Sequence, residues 1–446
     1  MVLQVSSPRL GGVGVALRPR SRVVSALTRA LLVLAATVLA VPLAGCGSGT
    51  YGAPHPVGEG RTTRSTIPAV DLATLKRMAR KVFNPDLDVA QLAPELQTAL
   101  MAGSVPLDDH QRKIFDTCMT SSSCETGQGR YTLAILSDLV HPFSAIARAE
   151  MVSFAIKSGE IANITYSNSG PDVQRHMTDW RIAIARGDDL IGPQFSAVGN
   201  QLGPVITQAK AAGIPVVNGA VQLDPVVAER LTVNIHFDLC GMWESAAPIL
   251  KQHLTERGVH DLTYAMFTGV PGNVYAPTWQ PCAEKSLDAA GFTKVYDGTT
   301  NWTPQGTVEA AGQLRASGKK PALIAYDESA ADFINAYTAA GDHAIPTLML
   351  SGSTTLGTLK AYQQAKQDGF DPDVFMMPGS HWLYGAALAT SLEIKDGKQP
   401  SSRTIEYPMG IVNAADVMAQ SDLSLPDVAI NGTLVDSQDQ TEALAN

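Results

Sequence analysis

The chain has 446 residues, with 33 Lys plus Arg against 42 Asp plus Glu, and a formal net charge of −9 at pH 7. That length accommodates two lobes or one large core. The acidic balance, with no basic stripe to meet phosphates, excludes nucleic acid as a partner and a polybasic membrane patch as an anchor.

Residues 1–45 carry Arg9, Arg18, Arg20, Arg22 and Arg29, no acidic residue, and then an apolar run over 30–42. A basic start, a short apolar stretch and small residues before a cleavage point are the layout of a secretory signal. The run is about 13 residues, short of the roughly 20 that a spanning helix needs. Leu43-Ala44-Gly45-Cys46 resembles the lipobox of bacterial lipoproteins. That resemblance implies a lipidated Cys46 as the mature N-terminus, exported and held at the outer face of the membrane. Residues 46–67 are rich in Gly, Ser and Pro without periodicity, a flexible tether. Residues 68–128 hold short amphipathic stretches broken by Asn84-Pro85 and Val105-Pro106, and read as a helical N-terminal extension.

Cys118, Cys124, Cys240 and Cys282 form an even set, which in an oxidising compartment points to two disulfides. Cys118 with Cys124 closes a small loop, which leaves Cys240 for Cys282. The alternative, a four-Cys zinc site, lacks C-x₂-C spacing and a nearby His.

From Arg130 the pattern becomes regular. Apolar runs at 131–137, 161–166, 189–192 and 213–217 read as strands, with helical faces at 143–158, 172–186 and 198–212 between them. A second series follows: strands at 231–235, 262–267, 292–296, 322–326 and 347–350, and helices at 240–257, 277–290, 304–317 and 329–340. Trp180 and Trp243 fall within helical patterns as core residues. Alternating strands and helices predict an α/β protein with two doubly wound parallel-sheet lobes, whose ligands bind beyond the carboxyl ends of the strands.

Several motifs then resemble one family. Ser137-Asp138-Leu139-Val140-His141-Pro142-Phe143 is similar to the first strand-to-helix loop of the type I periplasmic binding proteins, in their ribose-binding branch. Ala209 to Val217 is similar to the last helix and exit strand of the first lobe. Thr268-Gly269-Val270-Pro271-Gly272-Asn273 resembles a second-lobe Gly-x-x-Gly-Asn/Thr loop, Asn301-Trp302 a following aromatic position, and Ala325-Tyr326-Asp327-Glu328 an Asn-Asp-Glu position. The resemblance runs over about 130–417 in colinear order. Two positions depart from the sugar-binding pattern. The stretch Tyr275 to Trp279 has no Arg, and Leu350-Ser351-Gly352 stands where relatives carry an Asp.

The resemblance implies a three-strand hinge, with crossovers expected near Val217-Asn218, Leu350-Ser351 and Met377-Pro378. Lobe 1 is then 129–218 with 352–377, lobe 2 is 219–351 with 378–420, and 421–446 is a C-terminal tail. Expected ligand-binding residues are Asp138, His141, Phe143, Gln194, Asn218, Trp279, Trp302, Asp327, Ser351 and Trp382. Aromatic faces would cover a ring, and polar groups would meet its hydroxyls. Asp138 has an alternative role as a helix cap.

The implied function is a monomeric receptor that captures a sugar- or polyol-like solute and delivers it to an ABC permease driven by its ATPase. No nucleophile elbow, P-loop, H-E-x-x-H or dinucleotide fingerprint occurs, so no enzyme activity, cofactor or metal is expected. A ligand-sensing receptor, an exported enzyme and a structural envelope protein are the alternatives.

Overall fold

The computed structural model describes residues 67–445. The signal segment, Cys46 and nearly all of the tether lie outside the described residues. Among the described residues no helix is long and apolar enough to cross a membrane.

The chain opens with α1 (Leu72–Lys81), α2 (Pro94–Gly103) and α3 (Asp109–Thr120), followed by the short strand β1 (Ser123–Glu125). Asp71 and Asp108 cap α1 and α3, and Asp108 pairs with Gln111 in a capping box. Then come β2 (Tyr131–Ser137), α4 (Pro142–Ser158), β3 (Ile161–Asn168), α5 (Val173–Arg186), β4 (Leu190–Pro193), α6 (Gly203–Ala211), β5 (Val217–Ala220), α7 (Pro225–Ala228) and β6 (Val233–Phe237). The second series is α8 (Leu239–Glu256), β7 (Thr263–Thr268), α9 (Ala276–Ala290), β8 (Thr293–Thr299), α10 (Pro304–Ala316), β9 (Leu323–Tyr326), α11 (Ala331–Ala339), β10 (Thr347–Leu350), α12 (Leu356–Gln367) and β11 (Val374–Met376). The chain ends with α13 (Leu383–Lys395), β12 (Thr404–Tyr407), β13 (Val412–Asn413), α14 (Ala414–Val417) and α15 (Ser437–Leu444).

Two sheets result. In the first, the order β1-β3-β2-β4 continues through a single bridge, Ile191 to Val216, into β5-β6-β12. In the second the order is β13-β11-β10-β9-β7-β8. Among the described residues only β1 and β13 run antiparallel to their neighbouring strands. Parallel strands need helices on both faces, which accounts for the nearly continuous apolar runs of β2, β9 and β10.

The lobe boundaries differ from the sequence expectation. The chain changes lobe after β6, between Phe237 and Leu239; after β11, through 377–382; and after β12, through 408–411. Val217-Asn218 is no crossover: β5 stays in the first sheet, paired with β6. Leu350-Ser351 is none either, because β11 lies parallel to β10 in the second sheet. Residues 352–377 therefore belong to lobe 2, while α13 and β12 belong to lobe 1. A buried strand of three residues, Val374–Met376, has no periodicity from which to read it.

The extension and the tail are both packed. Helices α2 and α3 lie against α13 and α4 of lobe 1, and β1 adds an edge to its sheet. Residues 421–445 are no loose tail: Leu425, Ile430, Leu434 and Val435 are buried, and α15 packs on α3 and α4. Cys118 is joined to Cys124 at the end of α3, and Cys240 to Cys282 between α8 and α9 within lobe 2. Replacing both Cys118 and Cys124 by Ala is expected to lower the unfolding free energy by about 2 kcal/mol, from the entropy of a short closed loop. Denaturant titration checks this; an unchanged midpoint would contradict it.

Candidate functional site

Strand order places the site. In lobe 1, β2 leads to β3 on one side and β4 lies on its other side, so the loops after β2 and β4 diverge. In lobe 2 the same reversal falls between β7 and β9. Such switch points open a crevice at the carboxyl ends of the strands. Here the two crevices face each other across a partly open cavity lined from both lobes.

Lobe 1 supplies Leu139, His141 and Phe143 from the loop after β2, Ser196 from the loop after β4, and Val221 after β5. Pro142 opens α4, and the His141 Nδ1 accepts the Phe143 N–H at 3.2 Å as its cap. That bond fixes the loop, and burial lowers the His141 pKa to about 4, so the ring is neutral. Phe143 is braced from behind by His381, 4.4 Å between ring centroids.

Lobe 2 builds its wall around Asp327, which follows β9. The Asp327 Oδ2 accepts from the Thr268 hydroxyl at 2.5 Å and from the Trp279 indole N–H at 3.2 Å. Its Oδ1 accepts from the Trp302 indole N–H at 2.9 Å. One carboxyl thus ties β7, α9 and the loop after β8 together. Burial outweighs these donors and raises its pKa to about 6.

Asn301 and Trp302 both sit at positive φ, 55° and 51°, an unusual backbone for such residues. This turn sets the indole directly over Gly269, where a Cβ would come within 2.1 Å of the ring. Gly269 is therefore required by the close approach. Tyr275 lines the same wall and donates its hydroxyl to the Ser351 carbonyl. Glu328, partly exposed at the cavity, is raised to about 8 by burial, with Asp327 adding repulsion. Among the described residues, no Lys or Arg lines the cavity.

Of the sequence-predicted residues, the structure brings His141, Phe143, Trp302 and Asp327 to the cavity wall. The other six stand behind it. The buried Asp138 carboxylate accepts the backbone N–H groups of Ser196, Ala197 and Val198, at 3.0, 2.8 and 2.8 Å, and so clamps the two lobe 1 loops together. It does not cap α4. Gln194 donates to the Ser144 carbonyl, and Asn218 bonds Asn234 across β5 and β6. Trp279 is fully buried and stacked on Trp243. Ser351 is buried under Tyr275, and Trp382 bonds the Gly379 carbonyl with its ring against Tyr407.

Sequence reasoning missed Phe237, Met377 and Ser380, which reach the cavity from the first two crossovers. Once the crossovers are placed correctly, their position identifies them. It also missed Tyr275, two residues beyond Asn273 of the second-lobe loop, and Glu328, the last residue of the Ala325-to-Glu328 motif.

The raised pKa of Glu328 makes a stability prediction for the unliganded protein. Its proton is held more tightly in the folded state, so its contribution is complete below pH 4.5 and is lost as pH rises through about 8. The Glu328→Gln variant is expected to lose less melting temperature than the parent between pH 6 and 9. Parallel melting curves in matched buffers test this, and equal slopes would contradict it.

Residues 134–380 match the family model described as a periplasmic binding protein domain. No curated protein matches the chain in sequence. Among solved structures it is similar to a glucose-galactose binding protein, GanP, from Geobacillus stearothermophilus, with 15% identity and a TM-score of 0.53 over 65% of this chain and 100% of that one. An ABC transporter solute binding protein from Bacillus halodurans C-125 with bound myo-inositol gives 15% and 0.53, over 66% and 98%. The periplasmic binding component of the arabinose ABC transporter from Shewanella sp. ANA-3 gives 18% and 0.52, over 65% and 94%. At these identities the likeness establishes the fold.

Proposed function

The chain belongs to the periplasmic binding protein family, and from this premise we propose that it is an exported receptor that captures a small ring-shaped solute between its lobes and delivers it to an ABC importer. The observation that carries this reading is a cavity walled by both lobes and by two of the three crossovers. A ligand touching both walls stabilises the closed arrangement by its differential affinity, and rotation about the crossovers admits and releases it. The closed form docks on a membrane permease whose ATPase drives uptake, and a lipid on Cys46 keeps the receptor near that permease. The protein acts as a monomer and leaves its ligand chemically unchanged.

The solved neighbours bind glucose or galactose, myo-inositol and arabinose, which makes sugar- or polyol-sized rings the favoured cargo. The walls are mostly apolar, with Phe143, Phe237, Tyr275 and Trp302 offering surface to the C–H faces of a ring.

A thermal-shift screen against sugars, polyols, nucleosides and hydrophobic ring compounds tests the proposal. At a ligand concentration of 100 Kd the expected stabilisation is about 2.7 kcal/mol, with the solute recovered intact. No shift with any class, or recovery of a converted product, would overturn it.

A further inference from the structure

We infer that the cavity is shaped for a ring-sized solute that carries a positive charge, such as an amino-substituted sugar, an aminocyclitol or another protonated cyclic amine. The inference rests on the receptor reading above and names the chemistry of its cargo.

Two adjacent acidic residues, Asp327 and Glu328, line the cavity just after the end of β9. Among the described residues neither has a cationic partner. The three side-chain donors on Asp327 are neutral, a hydroxyl and two indoles. Glu328 is helped only by the Ser329 backbone N–H, and the charge beside it is that of Asp327, of the same sign. The other titratable groups around the cavity supply no compensation. His141 and His381 are neutral, lowered by burial to about 4 and about 3, and burial drives the Tyr275 hydroxyl upward. Asp138, behind the lobe 1 loops, is a further acid.

A site in which Glu328 has only a backbone donor, a second acid stands beside it and no basic residue lines the wall is complementary to a cation, whose ammonium donors would meet Glu328 in a charge-assisted bond. The aromatic lining acts in the same direction. Phe143, Phe237, Tyr275 and Trp302 stand around the cavity, and a cation near aromatic rings gains from their quadrupoles.

A separate observation points to a polar ligand. Ser380, only 1% exposed, lines the cavity from the second crossover, and its hydroxyl has no hydrogen-bond partner. A buried hydroxyl left unpaired is unfavourable, and a ligand hydroxyl at this point would satisfy it. Ammonium toward Glu328 and hydroxyl toward Ser380 is the substitution pattern of an amino-bearing ring.

Matched pairs test this by titration calorimetry on the intact protein at pH 7: D-glucosamine with D-glucose, 2-aminocyclohexanol with 1,2-cyclohexanediol, and cyclohexylamine with cyclohexanol. In at least one pair the amine is expected to bind about tenfold or more tightly than its neutral partner. Its binding should also release protons, seen as a dependence of the heat on buffer ionisation enthalpy, as Glu328 ionises beside the cation. Glu328→Gln, with folding checked by its melting curve, should remove most of the amine preference and the proton release.

Neutral members binding as tightly as the amines, or an amine preference unaltered by Glu328→Gln, would overturn the inference and leave the receptor reading standing. Failure of every pair would overturn it as well. Failure of every pair and of the wider solute screen would overturn both.

Discussion

Asp327→Ala is expected to lower the folding free energy by about 5 kcal/mol and to abolish the thermal response to any solute that the parent protein binds. The side chain is buried and is the acceptor for Thr268, Trp279 and Trp302. Removing it strands three donors, each unsatisfied group costing about 1–3 kcal/mol. The loss extends to geometry. Trp302 is held at positive φ by its surroundings, and the Asp327 bond is what fixes its indole against Gly269. Without it the strained turn relaxes and the wall of the cavity goes with it. Asp327→Asn keeps one oxygen and should fall between parent and Ala variant. Urea unfolding followed by tryptophan fluorescence, with the solute screen repeated on each variant, gives both quantities. Parent-like stability and binding in Asp327→Ala would show that the carboxyl organises nothing.

The second large effect is expected at Gly379, in the second crossover beside the cavity-lining Ser380. Its N–H donates to the Val82 carbonyl at 2.8 Å, and a Cβ there would come within 1.6 Å of the Gly432 carbonyl oxygen. Gly379 thus sits where the second crossover, the N-terminal extension and the C-terminal segment press together. The C-terminal segment holds lobe 2 through Leu356 N–H to the Ala429 carbonyl and Asn431 N–H to the Thr354 carbonyl, at 2.8 and 2.9 Å. It holds lobe 1 through Leu434 N–H to the Glu150 carboxyl at 2.7 Å. Asn84 reaches the third crossover at the Tyr407 hydroxyl and the Pro408 carbonyl, both at 3.0 Å. Gly379→Val must push one of these backbones aside, because no flexible side chain is there to yield. The expected loss is about 3 kcal/mol or more. Gly410, in the third crossover, meets nothing within 4 Å of a built Cβ, so Gly410→Ala should stay within about 0.5 kcal/mol of the parent. Equal stability for the two variants would mean that the crossing is not close-packed in solution.

How far the sequence could be read follows from the same contacts. The runs at 131–137 and 323–326 were visible because strands buried on both faces are apolar throughout. The last third was not. Helix α13 is buried from Leu383 to Leu392 and shows no amphipathic period, while β11 and β13 are three and two residues long. Without β11 the second crossover falls one strand early; the first does so because the strand read at 231–235 is assigned to the second series, whereas β6 pairs with β5 in the first sheet. The site residues divide in the same way. His141 and Asp327 follow strands at switch points, so their position alone marked them. Trp279 and Trp382 carry the same residue type at helix starts, and nothing local shows that their rings turn inward, Trp279 to Asp327 and Trp382 to Gly379. Asn218 is bonded to Asn234, a partner known only once β5 and β6 are paired. Ser380 and Phe237 needed the lobe assignment first.

Small-angle X-ray scattering of the protein, with and without whichever screened solute raises its melting temperature, tests the central claim most directly. Capture between two hinged lobes predicts a smaller radius of gyration in the bound state and a saturable change that tracks the calorimetric isotherm. A solute that binds tightly while the scattering curve stays unchanged would contradict a closing receptor and leave a rigid binding protein in its place.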